Sequence, residues 1–385
     1  MQPGETATIT MLENVELTKS VTLPDGVTLN LNGKTISGST TNIITIAEEA
    51  DVIITDNSND RGGKISSSTT SSLRSGAVAV EDGATLTLDG GVTLETTERL
   101  PPSLFIYNKK SPPKVIIKDA KFISKNYAIR LQYSLSTATI DIRGGEFQPG
   151  NKSFILNNNT ANVTISGGTF TQWDDDNMDL LAEGKVAVVD SDGVKIQETP
   201  VSGNYKAKIK DYNYYLTSNN LYDLIKRVDV TGKTIEIVDT LSCKYPDGIY
   251  FESSSGNTPK RLTLDIAAGI TLSGSMPLKI AEVTVTGTGT LDKDFFVPAD
   301  ETKYKVIQSS PSTGGTLYTG MVRVDNAAAF VIRDGAEYPY TSVPAAIEAA
   351  RTNSGSTVKL NQDYETGDTV QTDAADFQLW TLDLN

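Results

Sequence analysis

A short pattern recurs six times in the first half of the chain, and it restricts the fold more than any other feature. Each copy places turn-forming Gly, Asn or Asp shortly before a closing apolar residue. The closing residues follow one another at intervals of 29, 29, 28, 25 and 23 residues: Ile36, Ile65, Leu94, Phe122, Phe147 and Phe170. A near-constant period of this length is typical of repeat proteins, in which each repeat stacks on its neighbours.

Each period from the second onward also contains two earlier apolar segments, such as "NIITI" followed by "DVIIT". Side chains alternate between the two faces of a strand, so every second residue should point into a shared core. For the middle strand of each coil, the predicted inward residues are Leu29, Leu31, Val52, Ile54, Leu86, Leu88, Val115, Ile117, Ile140, Ile142, Val163 and Ile165. Their neighbours Asn30, Thr87, Asp141 and Thr164 should face solvent.

Three short strands per period, repeated in one order, predict an all-β fold in which each period is one coil of a parallel β-helix. The alternative is an antiparallel sandwich, which would need hairpin turns between consecutive strands. Because every period contains the same strands in the same order, the sequence favours the β-helix.

A second, longer repeat links two motifs. The pattern Gly-x-Thr-apolar-x-apolar begins at Gly4, Gly232 and Gly355. A segment beginning Thr-Leu follows each of them, at Thr28, Thr263 and Thr381, after 24, 31 and 26 residues. Three copies of two linked motifs predict tandem modules.

Helical patterns precede the second and third copies, from Thr217 and from Tyr340. Ser or Thr ahead of each apolar stretch is a suitable N-cap. Because the first coil of a β-helix exposes backbone and core side chains, we expect these helices to cover it. The predicted modules are residues 1–207, a shorter one at 208–330, and the start of a third, truncated module at 331–385.

Composition limits the possible partners and chemistry. A net charge of -14 argues against binding to nucleic acid or insertion into an anionic membrane surface, since both interactions use clustered cations. The chain contains no histidine, which excludes Ser-His and Cys-His catalytic pairs and His-ligated zinc. Its one cysteine, Cys243, has no histidine to activate it and is interpreted as structural or incidental.

The stretches "VTLNLNGKTISG", "VTISGGTF" and "YTSVPAAIEAARTNSGSTVKL" resemble those of secreted or cell-surface proteins of gut bacteria in the pectin-lyase-like superfamily. The resemblance covers nearly the whole chain but rests on repeat and capping motifs. It implies a right-handed parallel β-helix, tandem modules of a longer polypeptide, and a secreted or cell-surface location. It transfers no active site, because no position matches a catalytic motif of the lyases.

Two enzyme chemistries remain open as alternatives. Polysaccharide lyases of this superfamily combine Ca²⁺-binding acidic residues with an Arg or Lys base, and glycoside hydrolases use paired carboxylates. The charged residues predicted to face outward on neighbouring coils are Asp89, Lys118, Asp141 and Arg143. Their scatter favours a solvated face, so no catalytic residue is assigned.

Two binding sites are predicted. Five residues should point outward on three stacked coils: Phe105, Tyr107, Arg130, Gln132 and Asn157. The alternative is that the long loops at "ERLPPS" and "NKKSPPK", or the following module, cover this face. An aromatic ring beside guanidinium and amide groups suits a glycan or another cell-surface ligand. The acidic run "WDDDNMD" contains Asp174, Asp176 and Asp179, whose oxygens could bind Ca²⁺, although the EF-hand order is missing. The alternative is a polar loop with a helical turn that ends the first module, in which an aspartate is the cap.

The expected function is therefore a non-enzymatic, adhesin-like or glycan-binding module of a secreted or surface-anchored protein. No cofactor is expected apart from the possible Ca²⁺, and the chain is expected to be monomeric. A polysaccharide lyase or glycoside hydrolase is the first alternative. A phage-type tail fibre is the second, and it would normally form a trimer.

Overall fold

We examined a computed structural model of the 385-residue chain. It describes residues 5–70, 75–107, 110–132, 137–150, 154–156, 161–253, 259–301, 304–309, 314–322, 327–333, 336–340, 342–351, 355–361 and 381–383. About 49% of the chain is strand and about 6% is helix, which confirms the all-β prediction. Contacts divide the chain into two compact units, residues 1–200 with 213–215, and residues 201–212 with 216–385.

Parallel strands in the first unit form three sheets, and each coil contributes one strand to each sheet. The first sheet contains Ala7–Thr10, Val27–Asn30, Asp51–Thr55, Thr85–Leu88, Lys114–Ile117, Ala138–Ile142 and Ala161–Ile165. The second contains Val15–Leu17, Thr35–Gly38, Lys64–Ser67, Val92–Thr96, Ala120–Ser124, Glu146–Pro149 and Gly168–Phe170. The third contains Val21–Leu23, Asn42–Ile46, Gly76–Val80, Leu104–Ile106, Ile129–Leu131 and Ile155–Leu156. This order is a β-solenoid, as the repeat predicts.

The six closing residues are stacked as the sequence period predicts. Each pairs in parallel register with the next, from Ile36 through to Phe170. None is more than 4% exposed. The last three are phenylalanines, and the ring of Phe147 lies parallel to the rings of Phe122 and Phe170 at 4.8 and 4.7 Å. Stacked coils bury these rings and thereby form the core of the first unit.

The predicted inward row of the first sheet is confirmed, since its most exposed member, Val163, is 8% exposed. The predicted outward row is only partly correct. Thr164 is exposed, but Asn30 and Thr87 are each only 9% exposed. The amide oxygen Oδ1 of Asn30 accepts hydrogen bonds from the backbone N–H groups of Asn32 and Asn57, both at 3.1 Å. Asn30 is therefore buried because it satisfies the backbone where two coils turn.

An antiparallel hairpin follows the last coil of the first unit. Its strands are Lys185–Val189 and Val194–Glu198, and the second of these pairs with Gly168–Phe170. A 3₁₀ helix, Asp175–Leu180, precedes the hairpin. The strand Tyr214–Leu216 follows Lys185–Val189 in the same sheet.

The second unit contains three sheets. The first joins Ala207–Ile209, Thr234–Ile237, Lys260–Ile266, Ala281–Gly287, Thr316–Val322 and Tyr304–Ser309. The second joins Leu241–Lys244, Thr271–Leu278 and Thr290–Leu291, and Phe296–Pro298 pairs with Thr271–Leu278. The third joins Ala336–Tyr340, Ala329–Arg333, Thr357–Leu360 and Thr381–Asp383. In the first of these sheets, Lys260–Ile266 pairs in parallel with Thr234–Ile237 and with Ala281–Gly287, which repeats the solenoid pattern. An antiparallel strand, Thr316–Val322, then pairs with Ala281–Gly287.

Two α-helices lie near the positions that the sequence predicts, α1 at Leu221–Ile225 and α2 at Val343–Arg351. Ser342 accepts a hydrogen bond from the N–H of Ala345 at 3.2 Å, which confirms the expected serine at the start of α2. The expectation for α1 is corrected, because its N-cap is Asn220, whose side chain accepts from the N–H of Tyr222. Ser218 instead donates to the carboxylate of Asp223.

We call the combination of each helix with one earlier strand a strand–helix cap. The second-module cap consists of Ala207–Ile209 and α1, and the third-module cap consists of Ala329–Arg333 and α2. In each cap, the strand pairs antiparallel with the strand that carries the first motif of the long repeat, which we call the start strand. The start strands of the second and third modules are Thr234–Ile237 and Thr357–Leu360. The sequence predicted the helices but not these antiparallel strands.

The linked motifs of the long repeat form neighbouring parallel strands in all three copies. Thr234 pairs with Thr263, and Thr357 pairs with Thr381. In the first copy Thr28 pairs with Thr8, which lies two residues beyond the threonine of the predicted motif. The module boundaries at 207 and 330 stay predictions.

Candidate functional site

The predicted ligand-binding face lies on the third sheet of the first unit. Phe105 lies between Ala79 and Arg130 on adjacent coils. The prediction that its ring faces solvent is wrong, because Phe105 is only 4% exposed. Ala77 and Ala79 on the neighbouring strand are also buried, so protein covers this part of the sheet. Alternation predicts the direction of a side chain but not what the loops place over it.

The other predicted residues of this face are half-buried: Tyr107, Arg130 and Gln132. The backbone N–H of Gln132 donates to the carbonyl oxygen of Ile106 at 2.9 Å, and that of Tyr107 donates to Val80 at 2.8 Å. These bonds extend the parallel ladder beyond the strands and keep Tyr107 and Gln132 on neighbouring coils. Asn157 lies outside the described residues. The face offers the Tyr107 phenol and the Gln132 amide for hydrogen bonding, without the Phe105 ring, whereas Nε and Nη1 of the Arg130 guanidinium are buried.

The charged residues considered for catalysis form ion pairs on the exposed side of the first sheet. Arg143 donates from Nε to Asp141 Oδ2 at 2.7 Å, and Lys118 Nζ lies 3.4 Å from Asp89 Oδ2. The hydrogen bond and the charge of Asp141 raise the pKa of the Arg143 guanidinium. A higher pKa is the opposite of what a general base requires. The arrangement therefore suits surface ion pairs better than a lyase base.

The acidic run has a structural role at the end of the first unit. Asp174 caps the 3₁₀ helix by accepting from the N–H of Asp176 at 3.2 Å. Trp173 Nε1 donates to the Tyr214 hydroxyl at 2.9 Å, and that hydroxyl donates to Asp175 Oδ1 at 2.8 Å. Burial, reinforced by Asp175, raises the pKa of Tyr214. Asp175, which was not among the predicted metal ligands, therefore ties the helix to a buried tyrosine.

The calcium prediction for Asp174, Asp176 and Asp179 has no convergent ligand set to support it. Within the described ranges, no group of three or more carboxylate, thiol or imidazole side chains is arranged to hold a metal ion. The sequence grouped these aspartates because they lie close together in the chain. A short helix directs neighbouring side chains to different sides.

A second polar cluster, which the sequence did not reveal, surrounds the carboxylate of Asp56. Asp56 is 2% exposed. It accepts from the N–H groups of Gly33 at 2.8 Å, Ser58 at 3.1 Å and Gly63 at 2.6 Å, and from the Ser58 hydroxyl at 2.9 Å. A Cβ at Gly63 would lie 2.7 Å from Cγ of Asp56 and from Cβ of Leu31, so glycine is required there. The cluster joins the turns of adjacent coils.

In the second unit, a buried glutamate forms ion pairs with two arginines. Glu282 is 7% exposed and accepts from Arg261 Nε at 2.9 Å and from Arg333 Nη2 at 2.6 Å. The guanidinium carbon of Arg333 lies 4.2 Å from the centroid of the Tyr338 ring. With both carboxylate oxygens occupied by arginines, Glu282 is suited to joining strands rather than to proton transfer.

Cys243 is fully buried, and burial raises the pKa of its thiol. A buried neutral thiol reacts slowly, since the thiolate is the nucleophile. We therefore expect Cys243 in the native protein to resist a thiol reagent at pH 8 and to react promptly in denaturant, as measured by thiol titration. Rapid stoichiometric reaction without unfolding would contradict the structural interpretation of this residue.

Comparison with known proteins gives no identification: no protein-family model, no curated protein and no solved structure matches this chain. The β-solenoid, of about ten turns, is therefore shown by the structure itself. The pectin-lyase-like family and its bacterial setting stay expectations from the sequence motifs. In the part of the chain that the structure describes, no helix is long and apolar enough to cross a membrane.

Proposed function

We propose that this chain is a non-enzymatic scaffold module of a secreted or cell-surface repeat protein. The observation that carries the proposal is that one strand–helix cap is built twice with the same pairing. Ile209 pairs with Ile235 in the second module, and Val331 pairs with Val358 in the third. Ile235 and Val358 each directly follow the threonine of their start strand, so the two caps are in equivalent register.

Ion pairs between coils support the scaffold role. Two of them join neighbouring strands of the second sheet, Lys64–Glu95 at 3.2 Å and Lys121–Glu146 at 2.9 Å. A third, Arg61–Asp119 at 2.6 Å, joins turns that lie two coils apart. Exposed pairs of this kind contribute little stability individually. They do neutralise one another along the surface, which leaves these charges committed to partners within the chain.

The test of this proposal is an activity assay on a broad panel of acidic and neutral polysaccharides, with and without added Ca²⁺. We expect no release of unsaturated or reducing sugar, whereas a known lyase and a known hydrolase serve as positive controls. Release of sugar that is lost in Arg143→Ala or Asp141→Ala would contradict the proposal and favour the enzyme alternative.

Ligand binding is the second candidate role, favoured by the half-buried polar side chains of Tyr107 and Gln132 on neighbouring coils. We expect glycan-array binding, if this role is correct, to fall by at least about tenfold in the double variant Tyr107→Ala and Gln132→Ala, because several hydrogen bonds are removed. Thr164→Ala on the exposed side of the first sheet is the matched control. Equal binding by both variants, or no binding by the parent chain, would remove this role.

A further inference from the structure

The first coil of the first unit is an uncovered end of the solenoid. Its three strands, Ala7–Thr10, Val15–Leu17 and Val21–Leu23, are each the terminal member of their sheet among the described residues. Apolar side chains are exposed there, including Ile9 at 45%, Leu12 at 84% and Val21 at 37%. An open sheet end that carries apolar side chains is a template for pairing with another strand.

The parallel register identifies which residues of the three modules are equivalent. Thr8, Thr234 and Thr357 each pair with the threonine that begins a Thr-Leu segment. The next residues, Ile9, Ile235 and Val358, are therefore equivalent. Ile235 and Val358 are both 0% exposed, whereas Ile9 is 45% exposed. The same position is covered in two modules and open in the first.

In both covered modules the occupant is of the same kind. In each, an antiparallel strand pairs with the start strand, and a short helix lies between these two strands in the sequence. In the second module the N–H of Val238 donates to the carbonyl oxygen of Lys206, and the N–H of Lys210 donates to Thr234, both at 2.9 Å. Val238 is equivalent to Leu12, and Thr234 is equivalent to Thr8.

In the first start strand, the backbone groups equivalent to those that bond a cap strand point away from the next coil. Ala7 and Met11 donate their N–H groups to Gly26 and Asn30 on the next coil, at 3.1 and 2.9 Å. Backbone groups alternate in direction along a strand, so the N–H groups of Thr10 and Leu12 point toward the open edge. Two hydrogen-bond donors and an apolar side chain therefore match what the other start strands present to their caps.

We infer that the open end of the first coil is a docking surface for a strand–helix cap supplied by a neighbouring module of the same type. This inference rests on the proposed scaffold function and names the partner of its uncovered end. The cap strand would lie antiparallel to Thr8–Leu12, with its Ile209 equivalent opposite Ile9. A second copy of this chain fits less well, because both of its caps already cover start strands of their own.

The experiment supplies the cap directly. A copy of Tyr205–Lys233 replaces the residues ahead of Thr8 in the full chain, which keeps the natural spacing between cap strand and start strand. We expect amide exchange at Thr10 and Leu12 to slow by at least about tenfold, because a new ladder protects them. Binding of a dye that reports exposed apolar surface should fall as well.

Two further variants make the result decisive. The same fusion with Ile209→Asp in the added copy should give no protection, since a charge would face Ile9. A fusion that carries a copy of Ala329–Ser356 should protect the edge like the first fusion. The inference is overturned if neither intact cap slows exchange, or if the unfused chain is a dimer by light scattering with Thr10 and Leu12 already protected. Sugar release in the polysaccharide assay would refute the scaffold function without changing these exchange rates.

Discussion

Replacing Phe147 with alanine is expected to lower the free energy of unfolding of the first unit by about 3–5 kcal/mol. The ring is fully buried and lies between two nearly parallel rings, with interplanar angles of 6° to Phe122 and 9° to Phe170. The ring of Phe154 lies 5.3 Å away at its side. Paired strands on both sides hold these neighbours in place, so the cavity cannot close without breaking the register.

Chemical denaturation measures this effect. In a Trp380→Phe background, Trp173 is the one remaining tryptophan, and its ring lies 5.0 Å from Phe170. Its fluorescence then reports on the first unit, which is useful because two units need not unfold together. Phe147→Leu should cost clearly less than Phe147→Ala, since most of the volume is kept. Thr164→Ala is the surface control and should change stability by no more than about 0.5 kcal/mol. A loss below about 1 kcal/mol for Phe147→Ala would show that the aromatic stack is not part of the core.

Replacing Asp56 with alanine is expected to destabilise the first unit by about 3 kcal/mol or more, because three backbone donors and one hydroxyl lose their acceptor. Burial raises the pKa of Asp56, but hydrogen bonds from Gly63, Gly33 and Ser58 outweigh it and leave the pKa lowered. The carboxylate therefore stabilises the native state fully above the unfolded pKa of about 4. This stabilisation is lost as the pH falls through the lower native pKa.

The pH dependence distinguishes this charge from a loss of packing. The stability difference between the parent chain and Asp56→Asn should be constant from neutral pH down to about pH 4 and should shrink below it. Asp51→Asn, at an exposed position of the first sheet, is the control and should have little effect. A difference that grows on acidification would contradict the assigned role of Asp56.

Much of the first unit could be predicted because its determinants are local and repeated. The closing residues from Ile36 to Phe170 recur with nearly constant spacing, and a coil that buries one of them must bury the next in the same place. Phe105 shows the limit of this reasoning, because alternation placed its ring outward while the fold covered it. Asn30 shows the same limit for a polar residue, since its burial depends on backbone donors from another turn.

The sites that the sequence missed depend on residues far apart in the chain. Tyr214 meets Asp175 across 39 residues, and Arg333 meets Glu282 across 51. The cap strand Ala207–Ile209 is only three residues long, and its alternation is too short to predict a partner. A usable signal is the Ala-x-apolar sequence that begins both Ala207–Ile209 and Ala329–Arg333, because each copy precedes a predicted helix.

The measurement that tests the stack of parallel coils most directly is disulfide cross-linking along the outward-facing row of the first sheet, in a Cys243→Ser background. Asp141 and Thr164 are register partners on adjacent coils, whereas Thr87 lies three strands from Thr164 in the same row. Adjacent strands are about 4.8 Å apart, within disulfide range, and three strands span about 14 Å. The fold predicts that the pair Asp141→Cys and Thr164→Cys oxidises readily in the native chain and that Thr87→Cys with Thr164→Cys does not. Efficient cross-linking of the distant pair, or none of the adjacent pair, would contradict the coil order on which the scaffold proposal depends.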